Sequence, residues 1–543
     1  MADADVALSE GYITVLGKPV LQVPRKISTH RDEWLRHDAP AVYPSVPHGQ
    51  ARATLLFGIL QDCGTAEGAR PFDYELDQEL RTKLPGDTEE KRTAVADAVL
   101  EKFWYQGQKV KYLLPLHASL ALGFRQSSSN GKRMQYKMFR GNILPFLCST
   151  SSGVDEDLLE RLLDVFRSRA DFTQLDREVL RIAESLSPNV SPLSVQTLLS
   201  SEGTRNMLEK LESAGGAFCQ PSLELFQRDL AEVLSMRLPR RDLIEQVTLL
   251  LALHLATRLY RVSLVLANQL DQVISLFAPD EAPAPSACSQ GCVGETSACD
   301  LAGRIRFRVG SGAFRAVKLT DACVESYRQL TSGYLVPLPV TIATANLAAD
   351  ALRAAEGPEI ASLDLPRMHQ VLNTGGELLA RRFDAITRVI AVCRGFQQYP
   401  AAPADVLERF ARNGSPGIYA LRESLLEVRR SAMRHEGRDV VHQLVKEVSS
   451  GRLIQSNGTR ATFFEIDEAM LFLLVRTICQ RKIIPFAEFL EGLARYGLHP
   501  QDPYEEDFLQ KSLERLGMFA RYSDAAESAY VHHVDASQAT GEG

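Results

Sequence analysis

Several features are missing from this chain of 543 residues, and each absence excludes a class of protein. No uncharged apolar run reaches the ~20 residues that a membrane-spanning helix needs. Charged residues interrupt the longest apolar stretch, 243–277, at Glu245, Arg258 and Arg261. The first residues, MADADVALSEGY, have no basic segment followed by an apolar one, so no secretory signal is predicted. We therefore expect a cytoplasmic protein that does not bind a membrane.

A disulfide framework is also missing. The nine cysteines are an odd number, and six of them are scattered singly: Cys63, Cys148, Cys219, Cys323, Cys393 and Cys479. This usage is typical of reduced, buried thiols in the cytosol. Cys288, Cys292 and Cys299 form a C-x3-C-x6-C cluster, but zinc sites usually use C-x2-C or C-x4-C pairs and a fourth ligand, which only Cys323 could supply. We predict no metal.

The motifs of common enzyme classes are absent too. There is no G-x-x-x-x-G-K-[ST] phosphate loop, no G-x-S-x-G elbow and no H-E-x-x-H pair. The stretch VGSGAFRAVKL, 309–319, resembles the glycine-rich loop of a kinase, but its lysine is misplaced and the HRD and DFG motifs are missing. We predict a non-catalytic protein without a cofactor.

One catalytic alternative stays open. Arg430 and His435 form an R-x4-H pair on a predicted helix, an arrangement that resembles helical ribonucleases of the HEPN superfamily. Arg429, Arg434 and Glu436 surround the pair, as on any exposed, charged helix. The solvated helix is the favoured interpretation and the ribonuclease effector is the alternative.

Length and composition indicate a globular, multidomain chain. One hydrophobic core stops growing at roughly 250 to 300 residues, so this length predicts several domains. Hydrophobic residues make up 45% and charged residues 24% of the sequence, as in globular proteins. The formal net charge of −7 excludes a uniformly basic coat for nucleic acid but permits a local basic patch.

The patterns along the chain predict a mainly α fold with a small α/β N-terminal region. Apolar residues repeat at helical spacing in 158–166, in 223–233 and after Arg240. Asp87 with Glu90 predicts a capping box that opens a helix running to about Tyr105. Further predictions are a hairpin around Gly17-Lys18-Pro19, a helix at 365–383, a long polar helix at 416–450 and a two-residue type I′ turn at Asn457-Gly458.

These patterns divide the chain into six predicted segments. They are an N-terminal α+β region at 1–150, a helical bundle at 151–278, a cysteine-containing linker at 279–303, a second helical region with short strands at 304–465, a winged-helix-like module at 466–531 and a disordered tail at 532–543. His532 and His533 fall in the tail, where we assign them no role.

The winged-helix-like module is predicted from three helices at 468–480, 485–496 and 505–516 and two strands at 518–522 and 528–531. A DNA-reading module would place the third helix in the major groove and Arg521 on a phosphate. Glu505, Glu506 and Asp507 stand at the front of that helix, where phosphates would repel them. We therefore favour packing or protein contact for this module.

A stretch without acidic residues is the best candidate for nucleic-acid binding. Between Glu101 and Asp155 the chain has eight cations and no carboxylate: Lys102, Lys109, Lys111, Arg125, Lys132, Arg133, Lys137 and Arg140. Aromatic residues such as Phe103, Trp104, Tyr112 and Phe124 lie among them. Single strands need this combination for phosphate neutralisation and base stacking. We predict that Lys109, Lys111, Arg125, Lys132, Arg133, Lys137 and Arg140 bind DNA, with an acidic protein partner, or a core covered by solvated cations, as alternatives.

The final run LERLGMFARYSDAAESAYV, 513–531, resembles the closing winged helix of accessory subunits encoded in bacterial anti-phage islands. It is similar to the G subunit of phosphorothioation-dependent DNA restriction and to an analogous subunit of methylation-associated defence, over about a tenth of the chain. The resemblance implies a large helical protein without an active site of its own, working beside an ATPase and a nuclease.

The function predicted from the sequence is therefore a non-catalytic, nucleic-acid-associated subunit of a DNA-restriction or phage-defence complex. A protein-interaction scaffold that does not bind nucleic acid is a further alternative to the helical ribonuclease.

Overall fold

The structure of the protein, a computed structural model, describes part of the chain. The described residues are 6–9, 12–22, 56, 59–61, 63–64, 70–71, 76–84, 86–101, 103–106, 111–125, 143–186, 190–213, 217, 219–236, 238–277, 305–309, 338–360, 364–395, 416–426, 454–457, 461–500, 502–521 and 529–533. The fold is mainly α-helical and multidomain, as predicted.

The described helices are α1 (Asp77–Lys83), α2 (Glu89–Leu100), α3 (Ala118–Gly123), α4 (Ile143–Leu147), α5 (Glu156–Arg167), α6 (Gln174–Leu186), α7 (Val195–Ser200), α8 (Glu202–Ser213), α9 (Gln220–Ser235), α10 (Arg240–Ser275), α11 (Leu338–Ala354), α12 (Leu365–Thr374), α13 (Gly376–Gly395), α14 (417–426), α15 (Glu468–Cys479), α16 (Phe486–Arg495) and α17 (Pro503–Arg515).

The described strands are β1 (Val6–Ser9), β2 (Tyr12–Val15), β3 (Lys18–Gln22), β4 (Arg70–Pro71), β5 (Trp104–Gln106), β6 (Lys111–Leu113), β7 (Phe124–Arg125), β8 (Ser149–Thr150), β9 (Gly153–Val154), β10 (Ile305–Val309), β11 (Ile454–Asn457), β12 (Ala461–Ile466), β13 (Ile484–Pro485), β14 (Leu498–Pro500), β15 (Phe519–Arg521) and β16 (Ala529–Val531).

The chain forms two compact units. The first comprises Met1–Tyr43, Leu259–Cys292 and Gln329–Asp439, and the second comprises Pro44–Arg258, Val293–Arg328 and Val440–Gly543. The apolar stretch after Arg240 is one helix of 36 residues, α10. Within the described residues, no helix combines the length and apolar character that crossing a membrane requires.

In the first unit, an antiparallel sheet β1-β2-β3 packs on helices. Ile13 and Val15 of β2 are buried, while α11 contacts β3 and α13 contacts β1. The start of α14 lies close to α13, because the amide of Gly417 donates to Asp384 Oδ1 at 2.5 Å. A Cβ at position 417 would meet Asp384 O at 2.2 Å, so only glycine fits there.

In the second unit, helices surround a four-stranded sheet of order β11-β12-β10-β14. Strand β10 is central and pairs in parallel with both β12 and β14, with Phe307 and Val309 buried. The amphipathic faces predicted at 158–166 and 223–233 are confirmed in α5 and α9, whose apolar residues at those positions are buried. Hydrophobic burial therefore fixes the orientation of these helices.

The C-terminal module consists of α15, β13, α16, β14, α17, β15 and β16. Strands β13, β16 and β15 form one antiparallel sheet in that order. Asp467 and Asp502 cap α15 and α17, since each side chain accepts a hydrogen bond from a first-turn amide. Gly497 and Gly517, which follow α16 and α17, have φ of 77° and 70°, the left-handed conformation that glycine favours at the end of a helix.

The N-terminal half of the chain departs from two predicted boundaries. The cap of α2 is Thr88, whose side chain accepts from the Lys91 amide, whereas Asp87 pairs with the Lys91 ammonium at 3.3 Å. The predicted capping box of Asp87 with Glu90 is therefore wrong by one residue. Helix α2 also ends at Leu100 rather than near Tyr105, because Trp104–Gln106 pairs with Lys111–Leu113 as a hairpin.

Three further boundaries differ in the C-terminal half. The helix predicted at 365–383 is two helices, since the chain turns at Gly375 and at Gly376, where φ is 79°. Asn457 pairs with Ala461, so three residues connect β11 and β12 instead of a two-residue turn. The helix predicted as polar over 416–450 starts with buried residues in α14, among them Ile418 and Leu421, and 427–450 lie outside the described residues.

Candidate nucleic-acid interface

The structure describes three parts of the acid-free stretch between Glu101 and Asp155: 103–106, 111–125 and 143–154. Lys111 lies in β6 and Arg125 in β7, on either side of α3. Lys109, Lys132, Arg133, Lys137 and Arg140 lie outside the described residues. Their proposed contacts with DNA therefore stay predictions.

The middle of the stretch is core. All residues of α3 are buried, and Leu113, Leu114 and Leu116 before it are buried as well. The cations therefore fall before and after a buried segment rather than within it. Phe103 is 1% and Phe124 is 0% exposed, so these two aromatics belong to the core and are inaccessible for base stacking. The alternative of aromatic core residues is correct for this pair.

His117 lies within this buried segment and is the N-cap of α3. Its Nδ1 accepts from the Ser119 amide at 3.2 Å, and its Nε2 lies 3.3 Å from the Arg167 carbonyl oxygen, which can only accept. The ring therefore carries its proton on Nε2. Burial, reinforced by the nearby Arg169 charge, lowers the pKa of His117 to about 4. The imidazole is neutral at pH 7, as this capping geometry requires.

A serine, a histidine and a carboxylate meet at this cap, but in an order that does not suit nucleophilic catalysis. Ser119 Oγ donates to Glu184 at 2.8 Å, and Arg169 holds the same Glu184 oxygen at 2.6 Å. In a catalytic triad the histidine takes the proton of the serine while the carboxylate orients the histidine. Here the carboxylate contacts the serine directly. The histidine and the serine therefore serve to cap the N-terminus of α3.

The second candidate surface is the exposed side of α17, the helix that a groove-binding winged helix would use. Lys511 pairs with Asp507 at 2.5 Å, and Arg515 pairs with Glu468. In β15, Arg521 Nε lies 3.2 Å from a carboxylate oxygen of Glu514. Such exposed pairs contribute little to stability, but they cancel the positive potential that attracts phosphate. Because α17 carries four carboxylates and two cations, this surface opposes DNA.

The front of α17 is occupied by its own sheet. Glu505 Oε2 accepts from the Val309 amide at the end of β10, at 3.1 Å. Leu509 and Leu513 are fully buried, and α17 contacts both β10 and β14. The carboxylate at position 505 therefore has a structural role in joining helix and sheet. The acidic front that argues against base reading is partly explained by this contact.

A buried polar network fixes the C-terminal module to α9 and α10. Asp229 is 0% exposed and accepts from Tyr496 Oη at 2.5 Å. Its carboxylate also contacts His254 Nε2 at 3.1 Å and Arg228 Nη2 at 3.0 Å. Burial and the Asp229 charge raise the pKa of Tyr496 well above its ordinary value, so the phenol stays a donor. The module is thus part of the helical body of its unit.

The second histidine of the C-terminal pair was assigned wrongly from the sequence. His533 is 5% exposed rather than part of a solvated tail. Its Nε2 accepts from Arg476 Nε at 2.5 Å, and Phe472 packs edge-on against the ring at 5.4 Å. The residues after β16 therefore return to α15 and cover its buried arginine. A histidine next to a predicted tail carries no sequence signal for such a contact.

The remaining candidate residues from the sequence are the cysteines and the pair of Arg430 and His435. Cys63, Cys148 and Cys479 are buried thiols that form no disulfide, as predicted, whereas Cys219 is only half-buried. Burial raises the pKa of Cys479 to about 12. Among the described residues, no group of histidines, cysteines and carboxylates has the arrangement of a metal site. Cys288, Cys292 and Cys299 lie outside those residues, as do Arg430 and His435.

Comparison of the chain with protein-family models and with curated proteins finds no match. The resemblance of 513–531 to defence subunits therefore stays a prediction from the sequence.

Proposed function

We propose that this chain is a non-catalytic, nucleic-acid-associated subunit of a multiprotein bacterial DNA-restriction or phage-defence complex. Its nucleic-acid contacts are assigned to the cations of the acid-free stretch, and its C-terminal module is assigned to packing and protein contact. The defence context rests on the resemblance of 513–531. The assignment of surfaces rests on charge.

The observation that carries the proposal is the contrast between two sets of cations. In the C-terminal module, Lys511, Arg515 and Arg521 each have a carboxylate partner. The acid-free stretch, 102–154, has eight cations and no acidic residue among its 53 residues. Phosphate binding releases counterions only where cations are not already neutralised by protein carboxylates. This favours the stretch over the module as the DNA-binding surface.

The proposal is tested by a gel-shift assay with single-stranded and duplex DNA. The variant K132E/R133E/K137E/R140E should lose DNA binding. The matched control K511Q/R515Q/R521Q removes cations from the C-terminal module and should bind within about twofold of the wild type. If the control loses binding and the stretch variant keeps it, the module is the DNA-binding surface and the assignment is wrong.

The non-catalytic assignment has its own test. The purified chain should cleave neither RNA nor DNA, and R430A/H435A should leave its behaviour unchanged. A helical ribonuclease would lose roughly 10²-fold or more in rate when either residue is removed. Metal-independent RNA cleavage that disappears in this double variant would replace the proposed function with the ribonuclease.

A further inference from the structure

The hairpin of the first unit has an unusual residue at its tip. Val15 pairs with Lys18, so Leu16 and Gly17 form the two-residue loop between β2 and β3. Their φ values are +50° and +74°. Both central residues of such a turn are left-handed, which is why asparagine followed by glycine is preferred. A leucine is sterically disfavoured at the first of these positions.

The same leucine contributes little to the core. Leu16 is 57% exposed, and Tyr12 and Val20 of the same hairpin are each 40% exposed. Ile13 and Val15 point to the other side and are buried, so they account for the packing of the hairpin. Leu16 is therefore both strained and exposed. Strain of this kind persists where function needs the residue.

The charge and the edge of the hairpin restrict what it binds. Lys18 is exposed beside the apolar tip and forms no ion pair with the residues that the structure describes. Such a cation complements a carboxylate at the rim of an apolar pocket. Lys18 and Pro19 lie on the edge strand β3, where proline lacks the amide that an added strand would require. The tip therefore suits insertion into a pocket and not strand addition.

We propose that the hairpin 12–20 docks this chain onto a partner protein of its assembly, with Leu16 in an apolar pocket and Lys18 on a carboxylate at its rim. This inference rests on the proposed role as a subunit of a complex. It is independent of which residues bind DNA.

The test compares L16N with L378Q, which changes another exposed leucine of the same unit, 62% exposed on α13. Asparagine tolerates the left-handed conformation, so the isolated L16N chain should melt a few degrees higher than the wild type. In assemblies purified through a tag on the full chain from its native cells, L16N should lose at least tenfold of a stoichiometric partner. L378Q should retain that partner, and DNA binding by L16N should equal that of the wild type.

A photo-crosslinking residue at position 16 identifies the occupant. Crosslinks to a partner segment with apolar residues beside Asp or Glu support the proposal. Crosslinks to lipid or to a second copy of this chain overturn it, and so does a lower melting temperature of L16N. If L16N retains the partner, docking through the hairpin is wrong and the proposed function is unaffected. If the wild-type chain purifies without any stoichiometric partner, the proposed function is wrong as well.

Discussion

The acid-free stretch and the C-terminal module both present arginine and lysine, but they differ in what surrounds those cations. In the module, Lys511 pairs with Asp507, Arg515 with Glu468 and Arg521 with Glu514. The stretch has no carboxylate of its own between Glu101 and Asp155. The cations of α17 and β15 are thus neutralised by carboxylates of the module, while the cations of the stretch have no carboxylate among them in sequence. Element order and electrostatics therefore have to be judged separately.

The largest effect is expected where the module joins the helical body. D229A removes the acceptor of Tyr496, His254 and Arg228, and each buried donor left without a partner costs about 1–3 kcal/mol. Y496F removes the hydroxyl that contacts Asp229 and Thr477 but leaves the carboxylate in place, so it should cost less, about 1–2 kcal/mol. Because a two-unit chain does not unfold in one step, hydrogen exchange of α15–α17 is the suitable measurement. Equal protection in D229A and the wild type would mean that the network does not hold the module.

The next effect concerns pH and the buried middle of the stretch. His117 has a folded-state pKa of about 4 and an ordinary value of 6.5, so the unfolded chain takes up the proton first as pH falls. Stability contributed by the neutral cap is present above pH 6.5 and is lost between pH 6.5 and 4, by up to about 3 kcal/mol. H117N keeps a capping side chain without a titrating group, so it should flatten this dependence.

The measurement is urea unfolding followed by the fluorescence of Trp104, which belongs to the second unit. Once Trp34, the only other tryptophan, is replaced by phenylalanine, the signal reports the unfolding of that unit alone. H117N should have the smaller loss of stability between pH 6.5 and 4.5. The same pH dependence in both proteins would show that His117 is not the titrating group.

The smallest effect is expected on the exposed side of α17. K511Q/R515Q/R521Q breaks three surface ion pairs, each worth about 0–1 kcal/mol, so the melting temperature should change little. At 50 mM salt, DNA affinity should stay within about twofold of the wild type. A large loss of affinity would mean that these cations leave their carboxylates to bind phosphate, which would remove the contrast between the two regions.

Local patterns predicted much of the fold. Apolar spacing identified α5 and α9, because this signal lies within a few helical turns. The cap of α2 was misplaced by one residue because Asp87 and Thr88 are both good caps and only the backbone conformation decides between them. The turn between α12 and α13 was missed because a single left-handed glycine, Gly376, breaks an otherwise continuous helical pattern.

Contacts between residues far apart in the chain could not be predicted from the sequence. Asp229 and Tyr496 are separated by 267 residues, and neither has a neighbour that indicates the other. From the sequence, Glu505 was interpreted only as a charge unfavourable for DNA. Its bond to the Val309 amide depends on β10 entering the sheet from a distant segment. The acid-free stretch was visible because it is a property of composition. Which of its aromatics are core depended on the fold, as Phe103 and Phe124 demonstrate.

The central claim is that cations of the acid-free stretch contact phosphate, and the salt dependence of DNA binding tests it most directly. Affinity for a fluorescent single strand is measured between 50 and 200 mM salt for the wild type and for K132Q/R133Q/K137Q/R140Q. Each phosphate contact on a single strand contributes about 0.7 to the log–log slope, so losing four contacts should reduce its magnitude by about 3. Equal slopes for the two proteins would contradict the claim, because they would mean that none of these four cations releases a counterion.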